Sequence, residues 1–201
     1  MNTKTIKELV EETLFIHQKV DTVPNEFTLI GQGRSAAVFR MEGSPDYAVK
    51  VFYPEFKQLA HQEAAVYERL SHNKYYPELV EVGEGYLVLE YLNGMTFYEC
   101  LVAGIPITPL MVAMVDDALG YARSQGLNPS DIHLKNIMLT NNNQIKVIDV
   151  VRFTQDKDCP HWSDLKKAYF TYYQKKYFPK RFAPIFLELI IRLYRKRLLP
   201  I

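Results

Sequence analysis

Asp131, Asn136 and Asp149 are the residues whose types and spacing most directly suggest chemistry in this chain. The first two lie in the run Asp131-Ile-His-Leu-Lys-Asn136, and Asp149 follows thirteen residues later. Two acids and an amide offer oxygen ligands for a hard cation and acceptors for a proton. Taken singly, each is an ordinary turn residue, since Asp and Asn side chains bond readily to their own backbone. Their meaning depends on what else the chain supplies.

Two other places carry chemistry of the same kind. Gly31-Gln32-Gly33-Arg34-Ser35-Ala36 lies between two apolar runs. Glycines there let the backbone approach phosphates, and exposed N–H groups can cradle negative charge. Taken alone, the stretch also reads as a plain hairpin turn. Val38 beside it offers an apolar roof for a purine ring. Lys50 sits in Ala48-Val49-Lys50-Val51, where burial without an anionic partner would be costly. The alternative is a charge on the open face of an edge strand. Glu63 and Glu68 are the candidate partners; five residues apart on a helix, they face differently, so only one can point at Lys50.

The elements that must position these residues follow from periodicity. Residues 4–20 carry Ile6, Leu9, Val10, Thr13, Leu14 and His17 at helical spacing, and Pro24 stops them. Short β-like runs follow at Phe27–Ile30, Ala37–Arg40 and Tyr47–Phe52, then a helix over 56–70, then strands at Glu78–Val82 and Tyr86–Glu90. That order gives a small antiparallel sheet with one helix inserted. After Asn93-Gly94 the pattern predicts helices over 95–104 and 109–125, the second ending at Gly126. Two short strands, Ile137–Leu139 and Ile145–Ile148, turn at Asn141–Asn143, and two helices broken near Pro179 and Pro184 finish the chain.

Taken in order, the Gly-rich hairpin, Ala48-Val49-Lys50, a helical Glu63 and the connector Leu89-Glu90-Tyr91-Leu92-Asn93-Gly94 resemble the protein kinase-like superfamily. The likeness continues through Ala122–Leu127, Asp131…Asn136 and Val147-Ile148-Asp149, so it runs from about Phe27 to Asp164. It implies an α+β, bilobal fold, with a small antiparallel-sheet N-lobe over 25–92 and a reduced helical C-lobe over 93–201. A helical extension over 1–24 precedes them. It also implies an ATP- and magnesium-dependent phosphotransferase, with manganese as an alternative ion, and specifically a compact atypical bacterial serine/threonine protein kinase acting on a protein acceptor.

On that resemblance Asp131 orients the acceptor hydroxyl, and Asn136 and Asp149 hold the metal. Lys50 grips the α/β-phosphates and is itself held by Glu63, which the Ala64–Leu70 pattern favours over Glu68. Gly31, Gln32, Gly33, Ser35, Val38, Ala48, Leu89, Glu90 and Leu92 complete the nucleotide site, with the Glu90 and Leu92 backbones on the adenine. The departures matter equally. Ala36 replaces the third glycine, Pro129-Ser130 stands where the family has His-Arg, and Val150-Val151 replaces Phe-Gly after Asp149. His133 occupies the place of a phosphate-contacting lysine, as in aminoglycoside- and choline-kinase-like enzymes, and the compactness is similar to RIO kinases. Lys135 is the candidate for the missing cation; its other reading is an exposed loop lysine. A small-molecule kinase and a nucleotide-binding pseudokinase or scaffold are the alternatives. All four chemically necessary side chains, Lys50, Asp131, Asn136 and Asp149, are present, and this ranks catalysis first. Trp162-Ser163-Asp164 resembles a helix start with an acid beneath the catalytic loop.

Composition sets the outer bounds. The 201 residues suffice for one domain or two small lobes. Apolar content of 48% and net charge of +1 argue against disorder and against global attraction to nucleic acid. From Lys166 onward ten Lys/Arg face one acid, Glu188, so the basic tail either meets an anionic partner or forms a solvated helical face. Cys100 and Cys159 have no metal-like or disulfide-like spacing. With no signal-peptide core and no run long enough for a membrane span, a cytoplasmic protein is expected.

Overall fold

The structure, a computed structural model, describes residues 4–157 and 159–198. The chain forms two compact units, Met1–Leu92 and Asn93–Ile201, in a mixed α+β arrangement.

The first unit opens with helix α1, Ile6–Glu12, started by a reciprocal cap in which the Thr5 side chain accepts from the Glu8 N–H and Glu8 returns the bond to Thr5. The helix predicted over 4–20 stops here. Strands β1, Leu14–Ile16, and β2, Lys19–Thr22, follow as a hairpin. His17 and Gln18, at φ 49° and 57°, form its two-residue left-handed turn, a shape that matches strand twist. The apolar spacing fitted a helix, but Phe15, Ile16 and Val20 prefer a pleated surface, and the Phe15 ring packs edge-on against Tyr53 at 5.1 Å.

Strands β3 (Phe27–Gln32), β4 (Ala36–Met41), β5 (Ser44–Phe52), β6 (Leu79–Gly83) and β7 (Tyr86–Glu90) build a five-stranded antiparallel sheet in the order β3-β4-β5-β7-β6. Helix α2, Leu59–Arg69, is inserted between β5 and β6. Because side chains alternate along a strand, the sheet has two distinct faces. On one, Ala37, Phe39, Val49, Val51, Tyr86 and Val88 join Leu9, Phe27 and Tyr53 in a buried cluster covered by Ile6, Val10, Phe15 and Val20. The N-terminal helix and hairpin are therefore the lid of that core. The register sets Val38, Lys50 and Leu87 side by side, with Ala48 against Leu89, on the other face.

The second unit contains β8 (Gly94–Thr96), helices α3 (Phe97–Ala103) and α4 (Pro109–Ser124), and the hairpin β9 (Ile137–Thr140) and β10 (Ile145–Val147). The strands form a sheet in the order β10-β9-β8. Helix α3 begins two residues later than expected because Thr96 caps it against Glu99 and Gly94–Thr96 pairs with β9. Thr108 caps α4 with Pro109 in its first turn, and Val112, Val115, Ala118, Leu119 and Ala122 bury its inner face. After a 3₁₀ turn at Val151–Thr154, α5 (His161–Ala168) runs into a π-helical turn, Tyr169–Tyr173, and α6 (Pro184–Arg195) follows. Among the described residues, no helix is long and apolar enough to cross a membrane.

Candidate active site

In the first unit, β5 carries Lys50 to a position 8% exposed, and α2 brings Glu63, fully buried, to meet it. The Lys50 Nζ donates to Glu63 Oε1 at 2.8 Å and to Oε2 at 2.6 Å. Glu63, not Glu68, is thus the partner; Glu68 is exposed on the same helix. Val38, Ala48 and Leu89 stand on the same sheet face as Lys50 through the strand register.

The turn after β3 is pinned from behind, since the Tyr53 hydroxyl donates to Gly33 O at 2.9 Å and the Tyr53 N–H to Ser35 O at 2.9 Å. Gln32 donates to Gln18 O at 3.0 Å, tying the turn to the N-terminal hairpin. The Gly33 N–H is engaged by Ala36 O at 2.8 Å, so the cradle expected of exposed N–H groups does not include it. Neither Gly31 nor Gly33 has positive φ, and an added Cβ would meet its nearest neighbour at 3.9 Å and 3.6 Å, ordinary contact distances. Intramolecular packing therefore does not require either glycine. At the other end of the sheet the Glu90 N–H donates to Glu78 O at 2.8 Å and so is already engaged. Leu92 lies just beyond the strand, half-buried.

In the second unit, the loop between α4 and β9 holds Asp131 and Asn136. It is anchored by Asn128, whose N–H donates to Phe153 O at 2.8 Å and whose side chain donates to Gln155 O at 2.8 Å. Ser130, 2% exposed, donates to Asn128 O at 3.1 Å. The buried Asn136 Nδ2 donates to Asp131 O at 3.1 Å, and the Ile148 N–H donates to Asn136 O at 2.9 Å. Those bonds bring Asp131, Asn136 and Asp149 into one backbone-linked group. Asp131 and Asp149 both adopt left-handed backbone, φ 61° and 59°, a conformation that is rare outside glycine and clusters at functional sites.

Comparison with known proteins bears on what this group does. Over 179 residues the chain is 49% identical to "Putative serine/threonine-protein kinase YrzF" of Bacillus subtilis (strain 168), a match covering 89% of this chain and 83% of that protein. The chain belongs to the serine/threonine-protein kinase family. It is also 30% identical over 121 residues to serine/threonine-protein kinase PknB of Mycolicibacterium smegmatis, covering 52% of this chain and 19% of PknB. Serine/threonine-protein kinase PknG of the same organism matches at 37% over 68 residues, 33% of this chain and 9% of PknG. No family model matches the sequence.

Membership of a kinase family implies use of ATP, and it sharpens what the remaining side chains mean. Lys135, the expected cation, is held by Glu188 of α6 at 2.8 Å and lies 4.5 Å from the Tyr98 ring centre. The side chains that do reach the Asp131 carboxylate come from after Asp149. Arg152 Nη1 is 3.1 Å from Oδ2, and His161 Nδ1 is 3.2 Å from Oδ1. The Asp131 N–H donates to Cys159 Sγ at 3.3 Å. Sequence reasoning missed all three contacts, because no spacing rule links residues 152, 159 and 161 to residue 131. Asp164 sits in the first turn of α5 and accepts from the Tyr194 hydroxyl at 2.7 Å. Burial lowers the pKa of His133 below its ordinary value, against the opposing pull of Asp131 and Asp149, and so favours the neutral ring.

Proposed function

We propose that this chain transfers the γ-phosphoryl group of ATP, with magnesium or manganese, to a serine or threonine hydroxyl of a protein acceptor. The buried Lys50–Glu63 pair carries this reading. Apolar side chains of similar volume are often as stable or more stable than a buried ion pair. A buried pair on the sheet face opposite the main apolar cluster therefore speaks for a ligand rather than for folding. On this reading Met1–Leu92 is the N-lobe and Asn93–Ile201 the reduced C-lobe of a bilobal kinase-like fold.

Lys50, held by Glu63, takes the α/β-phosphates, and Val38, Ala48 and Leu89 line the base. The Glu90 carbonyl and Leu92 N–H face its edge. The Gly31–Ser35 turn covers the phosphates, which accounts for two glycines that packing does not demand. Asn136 and Asp149 fit a hard divalent ion: both offer oxygen, and the Asn136 Nδ2 bond to Asp131 O leaves the amide oxygen as the ligand atom. Among the described residues, no three His, Cys, Asp or Glu side chains form a metal cluster by themselves, so nucleotide phosphates would have to complete the ion's shell. Bound magnesium would neutralise charge on the transferred group. Asp131 orients the acceptor hydroxyl and takes its proton as the acceptor oxygen bonds to phosphorus; the bond to the β-γ bridging oxygen breaks and ADP leaves.

Incubation with γ-labelled ATP, magnesium or manganese and a generic protein acceptor tests this. Label should appear on serine or threonine, and Asp131→Ala and Asp149→Ala should each abolish it. Nucleotide binding without transfer to any acceptor would overturn the proposal, and label entering only a small hydroxylated compound would replace it with a small-molecule kinase.

A further inference from the structure

Arg152 and His161 approach the Asp131 carboxylate from two different elements, the 3₁₀ turn after Asp149 and the start of α5. Each takes a different oxygen. The left-handed backbone at Asp131 fixes where its Cβ points, but leaves the carboxylate free to rotate, and two contacts on two oxygens remove that freedom. The His161 ring is itself held, edge-on to Tyr194 with ring centres 5.8 Å apart. Its Nδ1 is buried and forms no hydrogen bond, although Oδ1 lies 3.2 Å away. A buried ring nitrogen is costly to leave unsatisfied, and Oδ1 is the acceptor within reach. Lys135 is turned toward Glu188 instead, 2.8 Å away.

We infer that Arg152 and His161 are positioning residues for Asp131: together they aim its carboxylate, and Arg152 supplies the positive charge beside the base that the loop lysine does not. The inference rests on the proposed kinase reaction and adds two residues to it. It also gives the altered Asp149-Val-Val-Arg152 sequence a purpose: the segment that lacks the family's Phe-Gly supplies a fixed clamp.

Initial rates of phosphate transfer by the full chain test this, comparing wild type with Arg152→Gln, Arg152→Lys, His161→Asn, Asp131→Asn and the double variant Arg152→Gln/Asp131→Asn. Misaiming a base by about an ångström costs on the order of a hundredfold. Arg152→Gln should therefore lower kcat by about that factor with the ATP KM unchanged, His161→Asn should lower it less, and Arg152→Lys should recover part of the loss. In the Asp131→Asn background the loss of Arg152 should cost nothing further, because residues acting as one unit are non-additive. If Arg152→Gln does not fold, the Lys and His161→Asn variants carry the comparison. Wild-type kcat in both, losses that multiply with Asp131→Asn, or a raised ATP KM with kcat kept would overturn the clamp and leave the kinase reading intact. A wild type that transfers no phosphate to any acceptor, or an Asp131→Asn variant as fast as wild type, would overturn both.

Discussion

At the scale of single residues, the Lys50–Glu63 pair separates folding from function. Removing one partner leaves a buried charge uncompensated, at a cost of about 3–5 kcal/mol. Lys50→Met should lower the melting temperature clearly and abolish transfer, whereas Lys50→Met/Glu63→Leu should regain most of the stability and none of the activity; thermal denaturation beside a transfer assay reads both. His133 gives a pH signature. Its pKa is lowered from 6.5 by burial, so above 6.5 both folded and unfolded chains hold it neutral and it contributes nothing. Below 6.5 the unfolded chain takes the proton first, and stability falls as pH drops through the folded value. His133→Asn should flatten that acid-side loss in a series of melting curves, and an unchanged slope would assign it to other groups. The pairing of Lys50 with Glu63 was legible in the sequence, because a lysine in so apolar a strand needs an acid and helical spacing lets only one of Glu63 and Glu68 face it. Arg152, Cys159 and His161 were not, because they converge on Asp131 only after a turn and a helix have folded.

At the scale of elements, chain direction reads well where side-chain period and turn chemistry agree. The five strands and α2 fall where apolar alternation and flanking Gly, Pro and Asp residues put them. The segment 4–20 misleads because its apolar spacing satisfies a helix while His17 and Gln18, neither of them glycine, make the left-handed turn of a hairpin. Tertiary packing of Phe15 on Tyr53 decides that contest. The junction at Gly94 shows a constraint that no pattern announces. A Cβ there would lie 2.3 Å from Leu139 O and 2.7 Å from Thr140 Cα, both backbone atoms that cannot step aside. Gly94→Ala should therefore separate β8 from β9 and destabilise the second unit by more than the ~1 kcal/mol that a strained backbone position alone costs. Denaturant melts compare it with Gly120→Ala, where an added Cβ meets nothing within 4 Å.

At the scale of the whole molecule, the family resemblance predicted a kinase, and the match to YrzF supports it across most of the chain. Regulation reads differently. Where the kinase-like pattern of the sequence would have His-Arg, Pro129-Ser130 stands before Asp131, and Ser130 is buried on Asn128. The arginine that captures an activation-loop phosphate by the usual route is thus missing from that position. Pretreatment with a broad-specificity phosphatase should leave the initial transfer rate unchanged, and a large fall would reveal a phosphate switch elsewhere. Finally, the two faces of the first sheet imply that a saturating mutational screen will read β5 as two interleaved genes. Substitutions at Val49 and Val51 should deplete the protein itself, as would those at Ala37, Phe39 and Val88 on the neighbouring strands. Substitutions at half-buried Val38 should leave abundance largely intact and silence the phenotype, while Ala48, Lys50 and Leu89, each 8% exposed, register in both channels. A single-residue insertion in β5 would exchange the two sets at a stroke.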